Sequence, residues 1–65
     1  MKIRDLLDYA ESSTHVVVMN GFTKSVLVEG DLQFIKSSYW CNSAVIKFSP
    51  EYRNGQTILL ISVDF

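Results

Sequence analysis

The spacing of apolar residues predicts a short helix at the start of the chain. The i, i+3, i+4, i+7 pattern holds for Ile3, Leu6, Leu7 and Ala10. It predicts an amphipathic helix over about residues 2–11. A helix of this length is marginal alone, so we expect it to exist by packing its apolar stripe on a sheet.

Residues 14–30, THVVVMNGFTKSVLVEG, predict a hairpin at the centre of the fold, because two β-branched runs flank an Asn-Gly pair. A two-residue Asn-Gly turn sets Met19 opposite Phe22. A longer loop through Lys24 pairs Val18 with Val26 instead. Turn chemistry supports the first register and cross-strand packing the second, which we prefer. Phe22 then lies at a loop tip, as a contact residue or folded onto the sheet.

The segment after this hairpin predicts a short central helix rich in aromatic residues. Asp31 is suited to be its N-cap, and helical spacing of apolar residues extends over about residues 31–41. Phe34, Tyr39 and Trp40 cannot all share one helical stripe, because residues 39–41 are consecutive. These aromatics either roof the sheet or remain partly exposed as a contact surface, for which Tyr and Trp are the favoured types.

The last third of the chain predicts a second hairpin. Ala44, Ile46 and Phe48 alternate with more polar positions, as in a half-buried strand, and Pro50 is expected to end that strand. Residues 51–55 supply turn chemistry, which places Tyr52 and Arg53 at a loop tip, either as further candidate contact residues or in a solvated turn without a role. Residues 57–63, TILLISV, predict a central strand that is apolar on both faces.

These elements predict an α+β fold in a single domain, residues 1–65. A four-stranded, mostly antiparallel sheet in the order 2-1-4-3 is built from the two hairpins, with the N-terminal helix and the short central helix on one face. The other face is left for solvent or a partner. Because residues 58–63 are apolar on both faces, that open face cannot be wholly polar.

Composition favours association and argues against several function classes. Hydrophobic residues make up 48% of 65 residues, more than so small a domain can bury, so we expect a homodimer or a dedicated partner surface. A net charge of −1 without a basic stripe argues against nucleic-acid binding. We also expect no membrane span and no signal peptide, and a cytoplasmic protein.

The titratable residues do not form a recognisable catalytic or metal-binding pattern. One His and one Cys leave a structural zinc site short of its usual ligands, so we expect no metal and no cofactor. His15 near a valine run is best explained as a hydrogen-bonded structural residue, and Cys41 as a small buried hydrophobe. We therefore expect no enzyme and assign no catalytic residue.

The order of segments resembles a class of very short reading frames from phages and prophages of Gram-positive bacteria. MKIRDLLDYA matches their opening helix, THVVVMNG their valine-rich strand and VLVEGD their second strand. LQFIKSSYW, AVIKFSP and ILLISV match the segments that follow. The departure lies at Lys36, Tyr39 and Trp40, where such chains are often acidic. The resemblance implies a phage accessory protein that binds and inhibits a host or defence protein.

Two functions follow as hypotheses. The first is a protein-binding module that uses Phe34, Tyr39, Trp40, Tyr52, Arg53 and Phe22. The second is an oligomer that sequesters a small molecule or nucleotide, with aromatics stacking a base and Lys36 or Arg53 meeting phosphate.

Overall fold

The computed structural model describes residues 1–64 and shows an α+β fold built on one four-stranded sheet. The elements in chain order are α1 (Ile3–Leu7), β1 (His15–Asn20), β2 (Val26–Asp31), α2 (Leu32–Lys36), a 3₁₀ helix (Tyr39–Asn42), β3 (Val45–Arg53) and β4 (Gln56–Val63). The sheet order is β2-β1-β4-β3. Both hairpins are antiparallel, and the central strands β1 and β4 run parallel. The predicted fold and strand order are confirmed.

The hydrophobic core lies between the helices and the two central strands. Its buried members are Ile3, Leu7, Val16, Val18, Leu32, Ile35, Leu59, Ile61 and Val63. Alternation along β1 and β4 directs these strand residues to the helical side, while the residues between them face the other side. Only one face of the sheet is therefore covered within the described chain.

The first hairpin has the longer loop, but its register differs by two residues from the prediction. Val18 pairs with Val28 rather than with Val26, and an irregularity follows at Met19. The slip of two residues keeps Val28 on its expected face, because strand facing has a period of two. The irregularity pairs Val26 with Met19 and moves it from the expected face to the opposite one. The loop is closed by a backbone hydrogen bond from Asn20 N to Ser25 O, at 2.9 Å.

The second hairpin differs from the prediction at Pro50, which does not end β3. The strand continues to Arg53, because β3 is an edge strand and can tolerate a residue without a backbone N–H there. The turn is the two-residue pair Asn54-Gly55, with φ of 52° and 79°, as in a type I′ turn. Tyr52 and Arg53 thus lie on the strand and not at a loop tip.

Both helices are shorter than predicted. α1 ends at Leu7, and the chain continues with i→i−3 bonds from Tyr9 N to Leu6 O and from Ala10 N to Leu7 O. The predicted central helix is divided into α2 and the 3₁₀ helix. Within residues 1–64, no helix is long and apolar enough to cross a membrane.

The predicted N-cap of α2 is confirmed and gives a stability prediction. Asp31 Oδ1 accepts a hydrogen bond from Phe34 N at 2.8 Å. Asp31→Ala leaves that amide without its side-chain partner, and we expect it to lower the free energy of unfolding by about 1 kcal/mol in urea denaturation. Asp31→Asn retains an acceptor and should lose much less. Equal losses for the two variants would contradict a capping role.

Candidate functional site: an aromatic groove beside an edge strand

The helical side of β3 is not covered by the helices. α2 packs on β2 and β1, and α1 packs beside α2 and the 3₁₀ helix. A five-residue helix is only about 7.5 Å long, whereas four strands span about 19 Å. The expectation that Ile46 and Phe48 are half-buried strand residues is therefore wrong. Ile46 is 53% exposed and Phe48 is 45% exposed.

A groove runs between the end of α1 and this uncovered side of β3. Its volume is about 260 Å³, and it is lined by Leu6, Tyr9, Ala10, Glu11, Thr14, Phe48, Pro50, Thr57 and Leu59. Tyr9 borders it with 91% of its surface exposed. Alternation along β3 places the exposed Tyr52 on the same side as Phe48 and Pro50. The groove therefore has exposed aromatic residues on both sides, Tyr9 next to α1 and Phe48 and Tyr52 on β3.

The 3₁₀ helix supplies a second aromatic feature, which the sequence predicted. The rings of Tyr39 and Trp40 meet edge to face, with centroids 5.5 Å apart and planes at 77°. Tyr39 is 81% exposed, whereas Trp40 is half-buried. Trp40 thus supports the Tyr39 ring from the protein side. The sequence left open whether these aromatics cover the sheet or stay exposed as a contact surface. Tyr39 is exposed, and Trp40 is half-buried.

The remaining predicted contact residues lie on separate elements. Phe22 is exposed in the β1–β2 loop, where its N–H donates to Asn20 Oδ1 at 2.8 Å. Phe34 is exposed on α2, with its ring against the Cα of Gly30. Arg53 stands at the end of β3 and forms an ion pair with Glu51. The six predicted residues therefore form several small surfaces and not one site.

Polar contacts explain several residues with candidate chemical roles. His15 Nε2 lies 3.1 Å from Glu29 Oε2, which is a structural contact between paired strands. Lys36 Nζ lies 3.7 Å from Asp8 Oδ1, so this cation already has a carboxylate nearby. Cys41 is a half-buried free thiol in the 3₁₀ helix. Among residues 1–64, no three His, Cys, Asp or Glu side chains gather as a metal site.

Sequence reasoning missed Tyr9 and Phe48. Tyr9 lies outside the helical stripe of Ile3, Leu6, Leu7 and Ala10, and an aromatic on the polar side of a helix was the available signal. Phe48 gave no such signal, because its alternation with Lys47 and Ser49 is the same for covered and uncovered strands. Only the reach of the helical layer distinguishes these cases.

The groove is suited to apolar contact. Its single charged residue is Glu11, and its walls are mainly aliphatic and aromatic. A side chain inserted there would lose water on several sides at once, which is the property of an interface anchor site.

Comparison with models of known families, with curated proteins and with solved structures finds no match to this chain.

Proposed function

We propose that this chain is a non-enzymatic module that binds another protein through the aromatic groove. The observation that supports the proposal is the uncovered flank of β3, where Tyr9 and Phe48 stand exposed beside an apolar groove. Exposed aromatic clusters of this kind are enriched at protein interfaces. Tyr39 is the second contact candidate, since its ring is exposed and oriented by Trp40.

The size and charge of the groove favour a protein partner over a small molecule. Its volume of about 260 Å³ lies below the range of roughly 300–1,000 Å³ for small-molecule sites. It is suited to one or two anchor side chains from a partner. A partner contributing aliphatic side chains without a nearby carboxylate fits best, because Glu11 is the charged residue at the groove.

The resemblance to short phage reading frames also suggests which class of protein the partner belongs to. Under it, the partner is a host or defence protein, and binding of this chain inhibits that protein. The functional consequence would come from occupying the partner's surface, with no chemistry performed by this chain.

The test is capture followed by titration. The tagged protein is used as bait in infected or expressing bacterial cells, captured proteins are identified by mass spectrometry, and the purified partner is titrated. The Tyr9→Ala, Phe48→Ala double variant should bind about 30-fold or more weakly, as expected for the loss of hot-spot contacts. Tyr39→Ala, titrated separately, measures the contribution of the 3₁₀ helix.

Gln33→Ala is the matched control, because Gln33 is exposed on α2 away from the groove and Ala favours a helix. It should bind as the wild type does. Circular dichroism and melting curves must show that all variants remain folded. Unchanged affinity in both the groove variant and the Tyr39 variant would contradict the proposed contact surface.

A second candidate is an oligomer that binds a phosphate-bearing small molecule. The supporting observation is a depression that contains Lys24, Lys47, Ser49 and Ser62. Its volume of about 220 Å³ in one chain is also below the small-molecule range, so this candidate requires the ligand to lie between subunits. The cations considered from the sequence, Lys36 and Arg53, already lie beside carboxylates. A panel of nucleotides in thermal-shift assays tests this candidate, because a bound ligand raises the melting temperature. No shift with any nucleotide would count against it.

A further inference from the structure

The sheet face opposite the helices has an apolar centre. Val17 and Leu60 are register partners on the two central strands, and Ile58 and Met19 lie next to them on the same face. All four are half-buried, although no described element covers this face. An apolar stripe on an open sheet is typical of a surface that packs against another layer.

Charge is distributed unequally along this face, which we call the open face. At one end, Lys47 pairs in register with Ser62. Lys24 and Lys47 both line the depression of about 220 Å³ at this end. At the other end, Glu51 pairs in register with Ile58 and forms an ion pair with Arg53, two residues further along the same strand, while Asp31 lies opposite His15. Lys24 and Lys47 make one end of the open face basic, whereas at the other end the carboxylates of Glu51 and Asp31 outnumber the one cation, Arg53, with the apolar stripe between the two ends.

We propose that the open face is the interface of a homodimer in which the strands of the two copies run antiparallel. The two-fold axis lies between the two sheets, in the plane of the interface, and runs perpendicular to the strands. It places Val17 and Leu60 of one copy on Val17 and Leu60 of the other. It also places Lys47 of each copy over Glu51 of the other. This arrangement matches apolar with apolar and basic with acidic surface, as isologous interfaces require.

The alternative two-fold axis, parallel to the strands, is disfavoured by the same charges. It would gather the lysines of both copies at one end and Glu51 and Asp31 of both copies at the other. Like-charge juxtaposition across an interface costs affinity. Charge therefore selects the antiparallel arrangement. Glu29 pairs in register with Val17, so the preferred axis brings the Glu29 side chains of the two copies opposite each other. This one like-charge contact lies on the outermost strand, where each Glu29 Oε2 is 3.1 Å from His15 Nε2 of its own chain.

Pairing through a free strand edge is the competing dimer. The sheet has two free edges, β3 and β2. The edge of β3 contains Pro50, which lacks a backbone donor and interrupts any ladder that another strand would form there. The six-residue β2 ends in Glu29-Gly30-Asp31 and has an irregularity in its pairing with β1, and short length, charge and irregularity all disfavour edge pairing. The open face, in contrast, offers uninterrupted packing of side chains between two aligned sheets. We therefore assign self-association to the face and not to the edge.

The area of the open face sets the expected strength. Four strands at about 4.8 Å and six residues at about 3.3 Å give a flat footprint of about 400 Å² per copy. Stable interfaces bury about 800 Å² of accessible surface per partner. Projecting side chains give the open face more accessible surface than its flat footprint, but still less than about 800 Å². We expect a reversible dimer with a dissociation constant in the micromolar range.

Sedimentation equilibrium of the full chain across micromolar concentrations is the test. Wild-type protein should show a monomer–dimer equilibrium. Lys47→Glu should weaken it at least 10-fold, since it faces carboxylates across the interface. The double variant Lys47→Glu, Glu51→Lys should recover part of that loss, because Glu51→Lys also removes the ion pair with Arg53 within each chain. Within one chain the two residues are four strand positions, about 13 Å, apart, so recovery reports contact between copies.

Two further variants separate the face from the edge and from general charge effects. The double variant Val17→Thr, Leu60→Thr places β-branched residues, which suit strands, at both positions. It should weaken a dimer formed through the open face at least 10-fold. A dimer formed by edge pairing through β3 would be unaffected. Lys2→Glu makes the same charge change outside the open face and should leave the equilibrium unchanged. Circular dichroism checks the fold of each variant.

Several outcomes would overturn the proposal. These are a wild-type monomer at all concentrations, a dimer insensitive to the Val17 and Leu60 substitutions, or no recovery in the folded charge-swap variant. Stabilisation of a monomer by inorganic phosphate, lost in Lys47→Glu, would assign the basic end to an anion instead. Because the aromatic groove lies on the other side of the sheet, partner binding there can succeed or fail independently of this result.

Discussion

Replacing Ile61 by Ala should remove roughly half of the protein's free energy of unfolding. Ile61 is fully buried in the middle of the central strand β4. Truncating a buried Ile to Ala costs about 2–5 kcal/mol through lost burial and the cavity left behind. A domain of this size has about 3–10 kcal/mol of total stability, so the change removes much of it.

Ile46→Ala is the matched control for this prediction, because it makes the same chemical change on the same sheet. Ile46 is 53% exposed at a strand irregularity, so we expect a loss below about 1 kcal/mol. Urea denaturation monitored by circular dichroism measures both variants. Similar losses at the two positions would mean that the core is not where the structure places it.

Gly21→Ala should produce the second-largest loss, about 1–3 kcal/mol, by overpacking. A Cβ at this position would lie 2.9 Å from Val63 O and 2.7 Å from Ile46 Cδ1. The Ile46 side chain can move, but Val63 O belongs to the backbone of a central strand. The same oxygen accepts the Gly21 N–H at 2.8 Å, so any shift weakens that hydrogen bond as well.

Gly30→Ala provides the comparison for Gly21→Ala. Its Cβ would contact only the ring of Phe34 among the nearest atoms, and that ring is exposed on α2 and free to swing outwards. We expect a clearly smaller loss, measured as the shift of the urea midpoint. A larger loss at Gly30 than at Gly21 would contradict the close approach of the first loop to β4.

The Gly21 contact also explains why the Asn-Gly rule failed in the first hairpin. The rule assumes that the glycine is needed for its positive φ. Here Gly21 is needed because its backbone comes close to β4, and the positive φ in the loop belongs to Lys24. The rule did hold for Asn54-Gly55, where both residues have positive φ and no tertiary contact competes.

The candidate site could be predicted only in part from the sequence. That not every aromatic of residues 34–40 can be buried followed from consecutive aromatics that cannot share one helical stripe. That Tyr39 is exposed and Trp40 half-buried beside it came only from the structure. The aromatic groove did not follow, because Phe48 has the same alternating pattern that a buried strand would have. Its exposure depends on two five-residue helices being too small to cover four strands.

Local pattern by itself determined the strands, their order and the capped start of α2. Valine runs and alternation specify strands through burial and side-chain facing, and Asp31 bonds within three residues of itself. The tertiary structure alone decided the register at Val18, the continuation of β3 through Pro50, and which apolar residues stay exposed. The register and the exposed residues depend on how closely the first loop approaches β4 and on how far the helices reach, and residues distant in the chain set both. β3 continues through Pro50 because an edge strand can tolerate a residue without a backbone N–H.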